Sequence, residues 1–269
     1  MFSQEINNLS SIASNKKTLF QDNKIGYLLS SMLAGVYVGI GILLIFTIGG
    51  LLQPANVPGV KILMGVSFGI ALSLVLIAGS ELFTGNNLIM MVGSLKGQVS
   101  WKDSISVWIY SYIGNFLGSI LLSILYVQSG LATGSIADFI INGSKAKINA
   151  GLGELFIRGI LCNMLVCLAV WCFFKLKEET AKLIMIFWCL FAFITIGFEH
   201  SIANMTLITT AMMLPNGGAI SFAGLFKNLI PVTIGNFVGG AIFIGWTYWF
   251  IANGREKAKE AKNYGDLSK

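Results

Sequence analysis

The sequence predicts an all-α membrane protein with six transmembrane spans, built as two inverted three-helix repeats whose second and fifth helices are broken. Three observations predict this. Of 269 residues, 55% are hydrophobic and only 11% charged, a make-up unlike that of ordinary soluble domains. Several apolar runs exceed the roughly 20 residues that cross about 30 Å of hydrocarbon as a helix. Two of those runs are interrupted by matching polar hexads. Glu81-Leu82-Phe83-Thr84-Gly85-Asn86 interrupts the run from Ile62 to Val92, and Glu199-His200-Ser201-Ile202-Ala203-Asn204 the run from Leu183 to Leu214. Each opens with a carboxylate and closes with an amide. Ionisable groups at membrane depth are costly, and paired interruptions in two halves of a chain point to a transport site near the midplane.

The first element is an amphipathic, cytoplasmic N-terminal helix over 1–26. Phe2, Ile6, Leu9, Ile12, Leu19 and Phe20 recur at helical spacing, with Lys16, Lys17 and Lys24 among them; such a helix lies at a membrane surface or covers a pore. A six-span pore domain follows over 27–252. Its spans are 27–51, 62–95 (broken near 82–87), 104–128, 155–175, 183–214 (broken near 200–204) and 228–252. A basic cytoplasmic tail occupies 253–269. The net charge of +6 does not imply nucleic acid, because the cations lie in loops and tails. With both termini cytoplasmic, thirteen Lys and Arg fall inside and five (Lys61, Lys145, Lys147, Arg158, Lys227) outside, which obeys the positive-inside rule. The expected location is the cell inner (plasma) membrane.

The repeats cover about 27–128 and 155–252. Ile113-Gly114-Asn115-Phe116-Leu117-Gly118 in the third span returns as Ile234-Gly235-Asn236-Phe237-Val238-Gly239 in the sixth. Three spans per half is an odd number, so the second copy enters from the opposite side and the two breaks face each other. The Gly-x-x-x-Gly seams let helix backbones approach closely. Cys162, Cys167, Cys172 and Cys189 form no C-x-x-C pair and read as small buried hydrophobes. No metal site and no cofactor is expected.

His200 is the only histidine. It is either a satisfied structural donor or, as a titratable group at membrane depth, part of a permeation path. Glu81 and Glu199 read as proton carriers or as acceptors for backbone N–H groups at the breaks. Their duplication favours the loop-stabilising role, shared by Asn86 and Asn204. Asn163 is a buried amide that needs a partner, and His200 is one within reach across the bundle. Lys147 belongs to a long outer loop from Gly130 to Gly153 and points either to solvent or inward. Thr84 is a neutral donor in the first break. Phe68, Leu72, Leu82 and Phe193 surround the breaks as core or as hydrophobic constrictions.

These residues resemble the formate/nitrite transporter family. The resemblance is carried by Glu81-Leu82-Phe83-Thr84, by Gly197-Phe198-Glu199-His200-Ser201-Ile202-Ala203-Asn204-Met205 and by Leu229-Ile230-Pro231-Val232-Thr233-Ile234-Gly235-Asn236, and it runs from about Gly26 to Trp249. It implies an aquaporin-like, homopentameric channel or proton-linked transporter for small monovalent anions such as formate, nitrite, lactate or hydrosulfide. The hydrosulfide branch is the nearest in resemblance. It also implies an outer constriction of Phe68 and Phe193, an inner one of Leu72 and Leu82, and a central chamber with Thr84, Lys147, Asn163 and His200. Lys147 would draw the anion in, and His200 or its water would exchange protons.

Two other classes fit these residues less well. An aquaporin-like pore for neutral small solutes would want Asn-Pro-Ala at both breaks, yet Pro54, Pro58, Pro215 and Pro231 all lie elsewhere. A membrane enzyme would want a second histidine or a catalytic triad. The lone His200 supplies neither.

Overall fold

A computed structural model of the chain describes residues 2–253, whose regular secondary structure is all helical. Except for Asn253, the basic tail lies outside the described residues. Six helical stretches are long and apolar enough to cross a membrane: Lys24–Ala55, Val60–Gly79, Trp101–Gln128, Leu152–Lys175, Glu179–Ile196 and Phe222–Asn253. The last begins six residues before the expected start, because the Ser221 side chain accepts from Gly224 N and caps the helix there.

Helix α1 (Ser3–Asp22) precedes α2 (Lys24–Leu52). The apolar face of α1 is not given to lipid. Ile6, Leu9, Ala13 and Phe20 are buried in a cluster with Leu88, Ile89 and Val92. Gly93 lets the two backbones approach, since a Cβ there would overlap that of Ala13. At the start of the helix, Phe2 packs edge-on against Trp171 and Tyr248.

The second stretch comprises α3 (Val60–Ser67), α4 (Gly69–Ser73) and a π-helical turn over Leu74–Gly79. It stops at an extended segment over residues 80–82, and α5 (Phe83–Leu95) resumes. Then come α6 (Trp101–Gln128), opened by a Ser100–Asp103 capping box, α7 (Gly134–Asn149) and α8 (Leu152–Lys175). Helix α9 (Glu179–Ile196) ends at Gly197, whose φ of +95° is the left-handed conformation natural to a helix C-terminus. After residues 198–200, α10 (Ser201–Met213) begins. Helix α11 (Phe222–Phe237) runs on as a π-helical segment, Val238–Trp246.

The interruptions lie at 80–82 and 197–200, earlier than the expected 82–87 and 200–204. Only the leading part of each hexad is extended. Asn86 and Asn204 already belong to the first turn of the next helix, because free N–H groups there receive side-chain acceptors.

The glycine seams act inside the subunit. Gly114 and Gly118 of α6 lie on Leu28, Ser31 and Met32 of α2, and Gly235 and Gly239 of α11 and its continuation lie on Phe156, Gly159 and Ile160 of α8. At Gly118 and Gly239 an added Cβ would meet the carbonyl oxygens of Met32 and Ile160. No side chain fits, so these crossings depend on glycine.

Candidate functional site

Each extended segment is held by one asparagine from a distant helix. Asn115 Oδ1 accepts from Phe83 N at 2.9 Å, the first N–H of α5, while its Nδ2 donates to the carbonyls of Ser31 and Glu81. Asn236 does the same at the second break: Oδ1 accepts from Ser201 N at 2.9 Å and Nδ2 donates to the carbonyls of Gly159 and Glu199. Glu81 N reaches Ser30 O, and Glu199 N reaches Arg158 O, both at 3.3 Å. Irregular backbone away from water must find such partners. Sequence reasoning saw these asparagines only as a repeated motif and did not assign them to the breaks.

Both carboxylates are buried and paired to lysines. Lys147 Nζ lies 2.8 and 2.9 Å from the oxygens of Glu199, and Asn204 Nδ2 donates to Glu199 Oε2 at 2.6 Å. Asn228 braces this group, accepting from Asn204 and donating to Lys147 O. The outer segment that looked like a loop contains α7, whose buried Ile140, Ile141 and Ile148 anchor it and turn Lys147 inward. At the other break, Lys16 Nζ lies 2.7 and 2.8 Å from the oxygens of Glu81. Tyr27 donates to Glu81 Oε2 at 2.8 Å, and Asn86 Nδ2 donates to both Tyr27 and Glu81. Thus Lys16, read as an orientation charge on an interfacial helix, is the counterpart of Lys147. No sequence signal joined it to a carboxylate 65 residues away. Burying these charges is tolerable because each is neutralised and hydrogen-bonded.

Between the two ion pairs, Thr84 Oγ1 and His200 Nε2 meet at 3.0 Å. His200 Nδ1 accepts the backbone N–H of Ala203, which caps α10 and assigns the proton of the neutral ring to Nε2. Nε2–H therefore donates to Thr84, whose hydroxyl keeps its own hydrogen for a further acceptor. Phe193 stacks on the His200 ring at 6.0 Å, and Phe68 meets Phe193 edge-on at 5.5 Å. Phe68, Leu72, Leu82, Phe193 and His200 wall one apolar void of about 10 Å³, space for about one water. Phe193 and His200 also face a larger cavity of about 470 Å³, whose walls include Lys147, Glu199 and Asn204.

Asn163, like Thr84, is not among the residues that line the void. It does not reach His200; its Nδ2 donates to the carbonyls of Thr84 and Asn236, at 3.2 and 2.6 Å. The two carbonyls belong to α5 and α11, so the amide of α8 ties those helices together. The four cysteines are free thiols. Among the described residues no cluster of three His, Cys, Asp or Glu could hold a metal ion.

Six helical stretches apolar enough to cross a membrane, with His200 and apolar side chains around one void, have the make-up of a membrane transport protein. A family profile described as "Formate/nitrite transporter" matches residues 4–250. The nitrite transporter NirC of Salmonella typhimurium (strain LT2) is 41% identical over 263 residues, covering 97% of this chain and 96% of its own. A solved structure titled "FNT family ion channel" superposes with a TM-score of 0.88 at 40% identity, covering 93% of this chain and 99% of that one. A second, titled "Pentameric formate channel with formate bound", gives 0.72 at 30% identity, covering 84% and 96%. The chain belongs to the formate/nitrite transporter family. It is a transporter and not an enzyme.

Proposed function

We propose that this protein passes small monovalent anions of the size of nitrite and formate across the membrane, by a path running from the larger cavity past Phe193 and His200 into the void. The observation that carries this reading is His200 in the wall of an apolar void with Thr84 bonded to its ring, and a lysine–glutamate pair at each break. NirC and the formate-bound channel, named for nitrite and formate, support the substrate class.

The steps follow from the chemistry of the groups. An anion entering the larger cavity competes with Glu199 for the Lys147 ammonium. It then meets Phe68 and Phe193, where a bare charge is expensive. The Thr84 hydroxyl replaces part of its water shell, and transfer as the neutral acid lowers the cost further. Leu72 and Leu82 close the path on the other side, and Lys16 receives the anion beyond them. Asn163 acts by holding the Thr84 carbonyl, not by touching the anion. Glu81, Asn86, Glu199 and Asn204 keep the two lysines and breaks in place.

The same reading extends to the architecture. The matched bonds of Asn115 and Asn236, and of Lys16 and Lys147, support two inverted repeats, and they add α1 to the first and α7 to the second. An even total of spans, with the lysine bias, supports both termini in the cytoplasm and the larger cavity outside. The residue-1–26 segment is then a cytoplasmic helix that supplies a pore cation, and the remainder up to 252 is the pore domain. The pentameric neighbour supports a homopentamer with one path per subunit, in the inner membrane. Uptake of nitrite, formate, lactate and hydrosulfide in competition, by vesicles containing the purified protein, tests this. Passage of glycerol without passage of any of these anions would instead establish the neutral-solute pore.

A further inference from the structure

Lys147 cannot by itself draw an anion into the larger cavity, because both of its strong contacts are to Glu199. At 2.8 and 2.9 Å the pair is a short dipole whose field falls off quickly outside it. The cavity walls nevertheless carry three cations, Lys61, Lys147 and Arg158, against one carboxylate, Glu199. The surplus of positive charge therefore belongs to Lys61 and Arg158.

Two features set Lys61 apart from an ordinary surface lysine. It is the second residue of α3, where the helix dipole favours an acid and disfavours a cation. No carboxylate lies within ion-pair distance of it among the described residues. Arg158 has one contact, Glu154 at 3.1 Å, and both side chains are largely exposed; such pairs bind weakly and leave the cation available. Much of the cavity wall around these cations is apolar, Ile45, Phe46, Val60 and Met64 included. Charge of one sign above low-dielectric walls concentrates counter-ions and raises the rate of entry.

We infer that Lys61 and Arg158 form an anion-capture site at the mouth of the larger cavity, from which the anion is handed to Lys147. The inference rests on the transport reading above and adds a separate first step to it. Capture governs uptake at low anion concentration, whereas crossing of the void governs the saturated rate.

The test is the initial rate of nitrite uptake into vesicles against nitrite concentration, at low and high concentrations of an inert salt. Lys61→Gln with Arg158→Gln keeps the Arg158 carbonyl that receives Glu199 N. At low salt this double variant is expected to need at least about threefold more nitrite for half-saturation, with the saturated rate held. At high salt, which screens exposed charges, variant and wild type should converge. Glu154→Gln frees Arg158 and should shift half-saturation the other way, an opposite sign that loss of packing would not produce. Equal half-saturation and equal salt dependence in wild type and double variant would overturn the capture site while leaving transport intact. A wild type that passed no small anion would overturn the transport reading as well.

Discussion

Thr84 and His200 stand 116 residues apart in the chain and 3.0 Å apart in the fold, each within two residues of the start of a helix that begins inside an apolar span. The histidine gives its Nε2–H to the threonine and receives the Ala203 N–H at Nδ1, so both ring nitrogens are engaged. This fixes the direction of the Thr84 hydroxyl, held on a histidine that lines the void.

His200→Asn preserves the helix cap, since asparagine is a strong N-cap, but cannot keep the Thr84 bond in the same geometry. The oligomer should assemble normally while anion flux falls about fivefold, as expected from losing a bond worth about 1 kcal/mol. The pH dependence of flux from pH 5 to 8 should also change. Size-exclusion chromatography and vesicle flux read the two effects separately, and an unchanged profile would remove His200 from the path.

Lys147→Glu places a second carboxylate against buried Glu199. Breaking a buried pair from one side costs roughly 3–5 kcal/mol, so the single variant should lose both thermal stability and flux. The swap Lys147→Glu with Glu199→Lys should recover most of the stability. Recovery is measured by the unfolding temperature in detergent, and a swap no more stable than the single variant would mean that the pair does not support the break.

Lys16→Ala leaves Glu81 with the Tyr27 and Asn86 bonds but without its counter-charge. Flux should fall, by about tenfold in proportion to roughly 1.4 kcal/mol of lost compensation. Deleting residues 1–22 should act in the same direction, because it removes the same ammonium. Faster flux in either variant would show that α1 obstructs the path instead of completing it.

Asn236→Leu strips partners from Ser201 N and from the carbonyls of Gly159 and Glu199. Each buried unpaired group costs about 1–3 kcal/mol, so the variant should fail to accumulate as a folded oligomer. Asn115→Leu should behave alike. Normal yield of either in membranes would contradict the role given to the pair.

The spans were legible because lipid demands long apolar runs, and the two hexads stood out because ionisable groups such as Glu81, Glu199 and His200 are costly at membrane depth. Phe68, Leu72, Leu82 and Phe193 were legible as apolar residues around the breaks, and the fold brings all four to one void. Lys16, Tyr27 and Asn228 were not legible. Their partners lie on other helices, and in sequence each sits in ordinary surroundings. The partner of Asn163 was misjudged for the same reason: its acceptors are backbone carbonyls, which no side-chain pattern reveals. Each break also ends earlier than expected, because Asn115 and Asn236 cap the following helices from outside the hexads.

The most direct test is nitrite and formate uptake by vesicles containing wild-type protein, set beside glycerol uptake and beside the Thr84→Val variant. The geometry predicts rapid anion uptake, little glycerol passage and a marked loss of anion flux when the hydroxyl at Thr84 is removed. Glycerol entry without anion entry, or full anion flux through Thr84→Val, would contradict it.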